Sequence, residues 1–301
     1  MKDLLIKPTL RSLQLIAQME RLFGVWTAPN KKLSLQVAIN AEAIWELSNF
    51  KVEKEDIELA LNSNLNLSKQ SISLLSQNLG AKPGLRSDKL TFVDISNRPI
   101  FTAVSPFVIE ARLNELLEWT ETELERGEVH AAITCAIFHL VILHLHPFSN
   151  ANHALSLVVS SQLIKNFVFN SYAQSPIASY FLARNTQYFS TLRQGEKSCF
   201  GDWLTVNAWI EFFLETLLLA QQDLEAERER INSSIKLNDT QSKILSCVQN
   251  LGLGKREEIA KLTGINLATI KYNLAILTER GCLKRQGEGR ASTYAFLRKL
   301  G

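Results

Sequence analysis

The chain has 301 residues, more than one domain usually holds, so two or more domains are expected. Hydrophobic residues make up 46% and charged residues 21%, a soluble globular balance that is too polar for membrane residence, and no apolar run reaches the roughly 18 residues that span a bilayer. The net charge of +3 hides an asymmetry: residues 236–301 hold 12 Lys and Arg against 5 Asp and Glu, leaving 21 against 25 for residues 1–235. A basic module on an acidic body points to nucleic acid as the partner of the smaller part and to something else for the larger.

The first twenty residues, MKDLLIKPTLRSLQLIAQME, are amphipathic, carry Asp3 and offer no small-residue cleavage site, so they read as mature sequence and not as a targeting peptide. Apolar residues at spacings of three and four predict helices over 10–24, 34–48, 54–63, 68–79, 107–125, 129–145, 153–166, 203–232, 239–250, 256–263 and 267–280. One hairpin is expected in KLTFVDISNRPIFTA (89–103), turning at Ser96-Asn97 before Pro99 interrupts, and a second at 283–296, where LKRQ and STYAF flank GEGRA. The charged run QQDLEAERERINSSI (221–235) reads as a helical connector. Four cysteines, Cys135, Cys199, Cys247 and Cys282, form no C-x-x-C pair; buried thiols in a reducing cytoplasm are expected.

Between them lies HLHPFSNANHALS (144–156), a histidine beside a prospective helix start with no Asp, Glu, Lys or Arg. HPFSNANHA resembles a degraded signature of the Fic/Doc family, in which His-Pro-Phe precedes one free residue, an Asp or Glu, Gly or Ala, Asn, Gly or Lys, and Arg, with a second Arg three positions on. His139 and the apolar helix before His146 match the family's lead-in, YFLARNTQYFSTLRQG with DWLTVNAWIEFFLE resembles its later helices, and 89–103 occupies the place of its target-docking flap. The likeness covers about 86–220, with residues 1–85 as an N-terminal helical region.

The resemblance implies AMP transfer from ATP to a protein hydroxyl, with His146 as general base, an acidic residue holding Mg²⁺, phosphates at the helix start and arginines on the phosphate tail. The degenerate nucleotide loop is then Phe148, Asn150, Ala151, Asn152 and His153. This chain keeps His146, Pro147, Phe148, Ala151 and Asn152, but Asn150 stands at the acidic position, His153 replaces Gly or Lys, and Ala154 and Leu157 replace the arginines. Losing two arginines and a metal carboxylate removes on the order of 4–8 kcal/mol, roughly a thousandfold or more in ATP handling. Lys165 lies about 18 Å along its helix from the start, out of reach of the phosphates, and His153 is at best a partial cation near neutral pH.

Many family members carry an inhibitory helix with Ser or Thr four residues before a Glu that pairs with the second signature Arg. QVAINAEAIWELS (36–48) offers Glu42 and Glu46, and neither has that Ser or Thr, so lock and arginine partner are missing together. All five histidines, His130, His139, His144, His146 and His153, fall within 24 residues; without a carboxylate, cysteine or H-x-x-x-H pattern among them, hydrogen-bonded helix and core histidines are expected and no metal.

In residues 239–296, helix, helix, a Gly-Ile-Asn turn, a third helix and a Gly-containing hairpin follow in order. Asn266 is placed to cap the third helix and Ile270, Leu274 and Leu277 to bury one stripe, leaving Asn266, Thr269, Lys271 and Tyr272 on other faces of its N-terminal half, the part that enters a major groove. The hairpin resembles a wing with Lys284, Arg285 and Arg290 free for phosphates; protein docking or dimerisation is the alternative use of such a module.

The expected fold is all-α: a Fic-like helical body (86–220) with a β-hairpin flap, a helical linker (221–237) and a winged helix-turn-helix (238–301). The expected function is a catalytically impaired Fic-domain protein regulating through DNA. The alternative is an active adenylyltransferase using His146, the only case requiring Mg²⁺ and ATP; otherwise no cofactor is expected. A protein target at 89–103, a homodimer and cytoplasmic residence complete the expectations.

Overall fold

The computed structural model describes residues 8–23, 33–48, 52–64, 66–168, 176–195, 206–234, 237–287 and 292–296. The chain divides into two compact units, a larger one reaching Glu225 and a smaller one from Ala226 onward. The boundary falls inside one continuous helix, Val206–Ser234, which carries the charged run from Gln221 as far as Ser234.

In the larger unit, helices α1 (Leu10–Phe23), α2 (Leu33–Leu47), α3 (Lys54–Asn62) and α4 (Lys69–Asn78) precede a two-stranded antiparallel hairpin, β1 (Thr91–Val93) and β2 (Pro99–Thr102). Then follow α5 (Ile109–Arg126), α6 (Ala131–Leu145), α7 (Asn152–Leu163), α8 (Ile177–Ala183), α9 (Asn185–Gly195) and α10 (Val206–Ser234). At the centre stand α6 and α7. AAITCAIFHLVILHL is apolar on every face and is buried from Ala132 to Leu145, and every residue of α7 is buried too, as an all-round hydrophobic helix requires. Residues of α1 to α3 share one hydrophobic core with α6, α7, α9 and α10, so the N-terminal helices and the Fic-like segment are a single packed body.

Local chemistry sets the ends of these elements. Gly127, at φ 67°, closes α5 by donating its amide to the Glu123 carbonyl at 2.9 Å, and the His130 ring caps α6 by accepting from the Ala132 amide at 3.2 Å. Asp94 builds the hairpin turn, its Oδ1 accepting from the amides of Ser96 (2.8 Å) and Arg98 (2.9 Å). Pro99 does not interrupt the hairpin: it opens β2, a first strand position where the missing N–H is tolerated. Two helices fall outside the apolar spacing. α8 is 7 residues long, too short to show a period, and α9 (NTQYFSTLRQG) is mostly polar. After α7 the chain loosens into a π turn, Ile164–Val168.

The smaller unit runs α11 (Asp239–Leu251), β3 (Leu253–Lys255), α12 (Arg256–Thr263), α13 (Leu267–Glu279), β4 (Leu283–Gln286) and β5 (Thr293–Phe296), with a sheet ordered β3-β5-β4 and antiparallel throughout. Asn238 and Gln241 form a capping box that starts α11. Ile244, Leu245, Val248, Ile259, Ile270, Leu274, Leu277, Leu283 and Tyr294 make a core of its own. Strand β3 was hidden in the sequence by its Gly254. That glycine is closely packed: a Cβ there would lie 3.0 Å from the Leu251 side chain and 3.2 Å from that of Ile259, so both would have to shift by a few tenths of an ångström to admit one.

Candidate functional site

His146 ends α6. Its backbone takes the left-handed conformation (φ 42°) as helix C-cap, and Ala151 (φ 58°) does the same at the N-cap of α7. Two non-glycine residues in that region within six positions give a tight reversal between two buried helices. Asn152 holds the reversal in shape: its Oδ1 accepts from the Phe148 amide at 2.9 Å and its Nδ2 donates to the Phe148 carbonyl at 2.8 Å. Arg86 fastens the outside. Its buried guanidinium donates to the carbonyls of His146, Leu145, Val104 and Asp88 at 2.5–3.0 Å, and its amide donates to the Pro147 carbonyl at 3.0 Å. A permanent cation on the last carbonyls of α6 is a favourable C-terminal cap.

A cleft of about 230 Å³ opens here, lined by Ser48, Leu90–Val93, His146 and Ser149–Ala154. Of the nucleotide-loop residues named from the sequence, Asn150, Ala151, Asn152 and His153 line it with His146. Phe148 is 1% exposed and does not; it is a core residue. Ala154 reaches the lining, whereas Leu157 is wholly buried among core residues. Asn150 is tied to the body, donating from Nδ2 to the Gly80 carbonyl at 3.2 Å. No Asp, Glu, Lys or Arg stands in the lining. Glu42 and Glu46 on α2 are exposed, Glu42 paired with Lys54, and Ser48, just past the helix end, is what reaches the cleft.

The histidines add no charge at neutral pH. Burial, opposed by the Leu143 carbonyl and aided by Arg86, lowers His146 to about 4. Burial and then His146 lower His153 to about 3, and burial lowers His144 to about 4 and His139 well below its usual value. His146 Nδ1 contacts the Leu143 carbonyl, so the ring carries its proton there and Nε2 keeps a lone pair. Phe92 of β1 packs on His146 and His153 at ring-centroid distances of 5.2 and 5.0 Å, and Phe101 of β2 stacks on His144 at 4.0 Å.

Beneath the cleft runs a chain of polar groups. Ser160 Oγ meets His139 Nδ1 at 3.0 Å, and the Tyr188 hydroxyl lies 2.9 Å from His139 Nε2 and 2.8 Å from His153 Nε2. Tyr188 has one proton for two ring nitrogens, so one imidazole donates to it while the other accepts from it, and the two tautomers are coupled. His130, His139 and His144 are thus cap and core residues, and among the described residues no group of His, Cys, Asp or Glu is arranged to hold a metal ion. Arg86 and Tyr188 were not singled out in the sequence. Tyr188 sat within a segment noted for its likeness, and nothing in the spacing of Arg86 foretold its role.

On the smaller unit, Asn266 caps α13, its Oδ1 accepting from the Thr269 amide at 2.8 Å. Lys271 and Tyr272 are exposed and Thr269 is half-buried. Lys284 and Arg285 are exposed on β4, with the Arg285 guanidinium donating to Ser292 Oγ at 3.0 and 2.9 Å. Arg290 lies outside the described residues, as does Cys199; Cys135 and Cys282 are buried and Cys247 is half-buried. No helix among the described residues is long and apolar enough to cross a membrane.

No family model matches the sequence and no curated protein matches it. The fold is nevertheless that of Fic-family proteins. A Fic family protein from Desulfovibrio desulfuricans G20 superposes with a TM-score of 0.56 at 15% identity, over 98% of this chain and 99% of its own. A Fic domain containing signaling protein from Bacteroides thetaiotaomicron VPI-5482 superposes with a TM-score of 0.51 at 14% identity, over 70% of this chain and 94% of its own.

Proposed function

We propose that this is a Fic-fold protein impaired in nucleotide transfer, whose smaller unit is a winged helix-turn-helix that binds DNA and carries a regulatory role. The observation behind the first half is the lining of the cleft: Asn150 where a carboxylate would hold Mg²⁺, Ala154 where the first arginine would hold phosphate, and histidines that burial keeps neutral, with Leu157, at the second arginine position, turned into the core. Mg²⁺ requires hard anionic oxygens and a triphosphate requires cations, and these residues supply neither. A cleft of about 230 Å³ is also below the roughly 300 Å³ at which small-molecule pockets begin. The DNA reading is supported by the 12-to-5 excess of basic residues in 236–301 and by the order helix, strand, helix, helix, strand, strand.

One observation favours a second reading, an active adenylyltransferase. His146 keeps an unprotonated Nε2 in the cleft lining, the state that a general base needs. Incubating the full chain with labelled ATP and Mg²⁺ separates the two. The impaired protein gives no self- or target-labelling; labelling that disappears in His146→Ala establishes the enzyme.

A further inference from the structure

The solvent-facing stripe of α13 has a composition that narrows the DNA it can read. Ala268, Lys271, Tyr272, Ala275 and Glu279 recur at helical spacing and are exposed, with Leu267 beside them at 46% exposure. Major-groove readers recognise guanine by paired bonds from Arg or Lys and adenine by paired bonds from Asn or Gln. The stripe has no arginine. Asn266 turns its oxygen toward the Thr269 amide as the helix cap, so its amide is oriented by the helix start and not by a base edge, and Asn273 is buried with its amide on the Thr269 carbonyl at 2.9 Å. Methyl and methylene groups remain, with the Tyr272 ring and a single ammonium. The base-edge feature that matches such a surface is the C5 methyl of thymine.

Charge argues for DNA as the occupant of this face instead of a second protein surface. Seven Lys and Arg are exposed on the described part of the smaller unit against four Asp and Glu, an excess that suits phosphates. Glu279, the one carboxylate of the stripe, sits at the far end of the helix, so the N-terminal half is the part that faces a duplex. Resting on the DNA reading above, we infer that α13 reads thymine methyl groups in the major groove through Leu267 and Ala268, with Lys271 alongside them for a phosphate or a guanine edge.

The test begins with selection of duplexes by the full-length chain from a random pool at low salt. Each thymine of the recovered sequence is then replaced by deoxyuridine, which removes one methyl and leaves pairing intact. Loss of about fourfold in affinity is expected at each contacted thymine, the scale of one buried methyl group. Ala268→Asn, a change on an exposed position, should shrink the thymine-over-uracil ratio toward one. A selected duplex that binds as tightly with uracil at every position overturns the inference, as does binding without sequence preference. If no duplex is recovered at all, the DNA reading itself fails.

Discussion

Helices α7 and α13 both begin at a candidate site, and they are built in opposite ways. Every residue of α7 is buried, its N-cap Ala151 offers no side-chain cap, and the cleft around it has no formal charge at neutral pH. α13 is capped by Asn266 and exposes a stripe bearing Lys271, on a unit where six further cations among the described residues are also in solvent. The difference is one of solvation. A histidine sealed among Phe92, Phe101 and the core loses its proton because the charged imidazolium cannot be hydrated. The described surface of the smaller unit thus has an excess of cations, whereas the cleft lining offers only uncharged polar groups.

Acid breaks this comparison most severely. All five histidines lie between 130 and 153, so the body alone carries them. For a histidine whose folded value is depressed, the stabilisation is complete above the unfolded value near 6.5 and is lost as pH falls through the folded value near 4. His144 and His146 account for roughly 3 kcal/mol each over that window, against a total stability of about 5–15 kcal/mol. The body should unfold between pH 6 and 4 while the smaller unit persists. All five tryptophans precede residue 226, so fluorescence follows the body, and hydrogen exchange at α11–α13 follows the other unit.

Arg86→Met should come next. It leaves four buried or part-buried carbonyls without a donor and should destabilise the body by about 3 kcal/mol or more, seen as a lower urea midpoint in tryptophan fluorescence. Tyr188→Phe removes the hydroxyl shared by His139 and His153 and should cost about 1–3 kcal/mol. It should also uncouple the two rings, so that ¹⁵N shifts of His153 change tautomer signature. Smallest is Asn266→Ala, which removes the cap of α13 at about 1 kcal/mol, detected by exchange in α13 with tryptophan fluorescence unchanged.

Much of this architecture was legible because burial writes itself into composition. The unbroken apolar run of α6 and the Ile270, Leu274, Leu277 stripe of α13 admit few readings, and the likeness of 144–156 located the cleft. Less visible were features that depend on contacts distant in sequence. Arg86 finds three of its four carbonyls 18 to 60 residues away, and strand β3 exists because β5 pairs with it. The neutrality of His153, set by burial and then by His146, required the fold. So did the placement of Leu157 in the core, which a motif alone presents as a substituted phosphate ligand.

Titration calorimetry of the full chain with ATP and Mg²⁺ at pH 7.5 tests the uncharged cleft most directly. No binding heat is predicted at millimolar nucleotide. Binding in the micromolar range that is weakened by His153→Ala or Asn150→Ala would contradict the account, because residues of this cleft would then be holding a triphosphate without a single permanent charge.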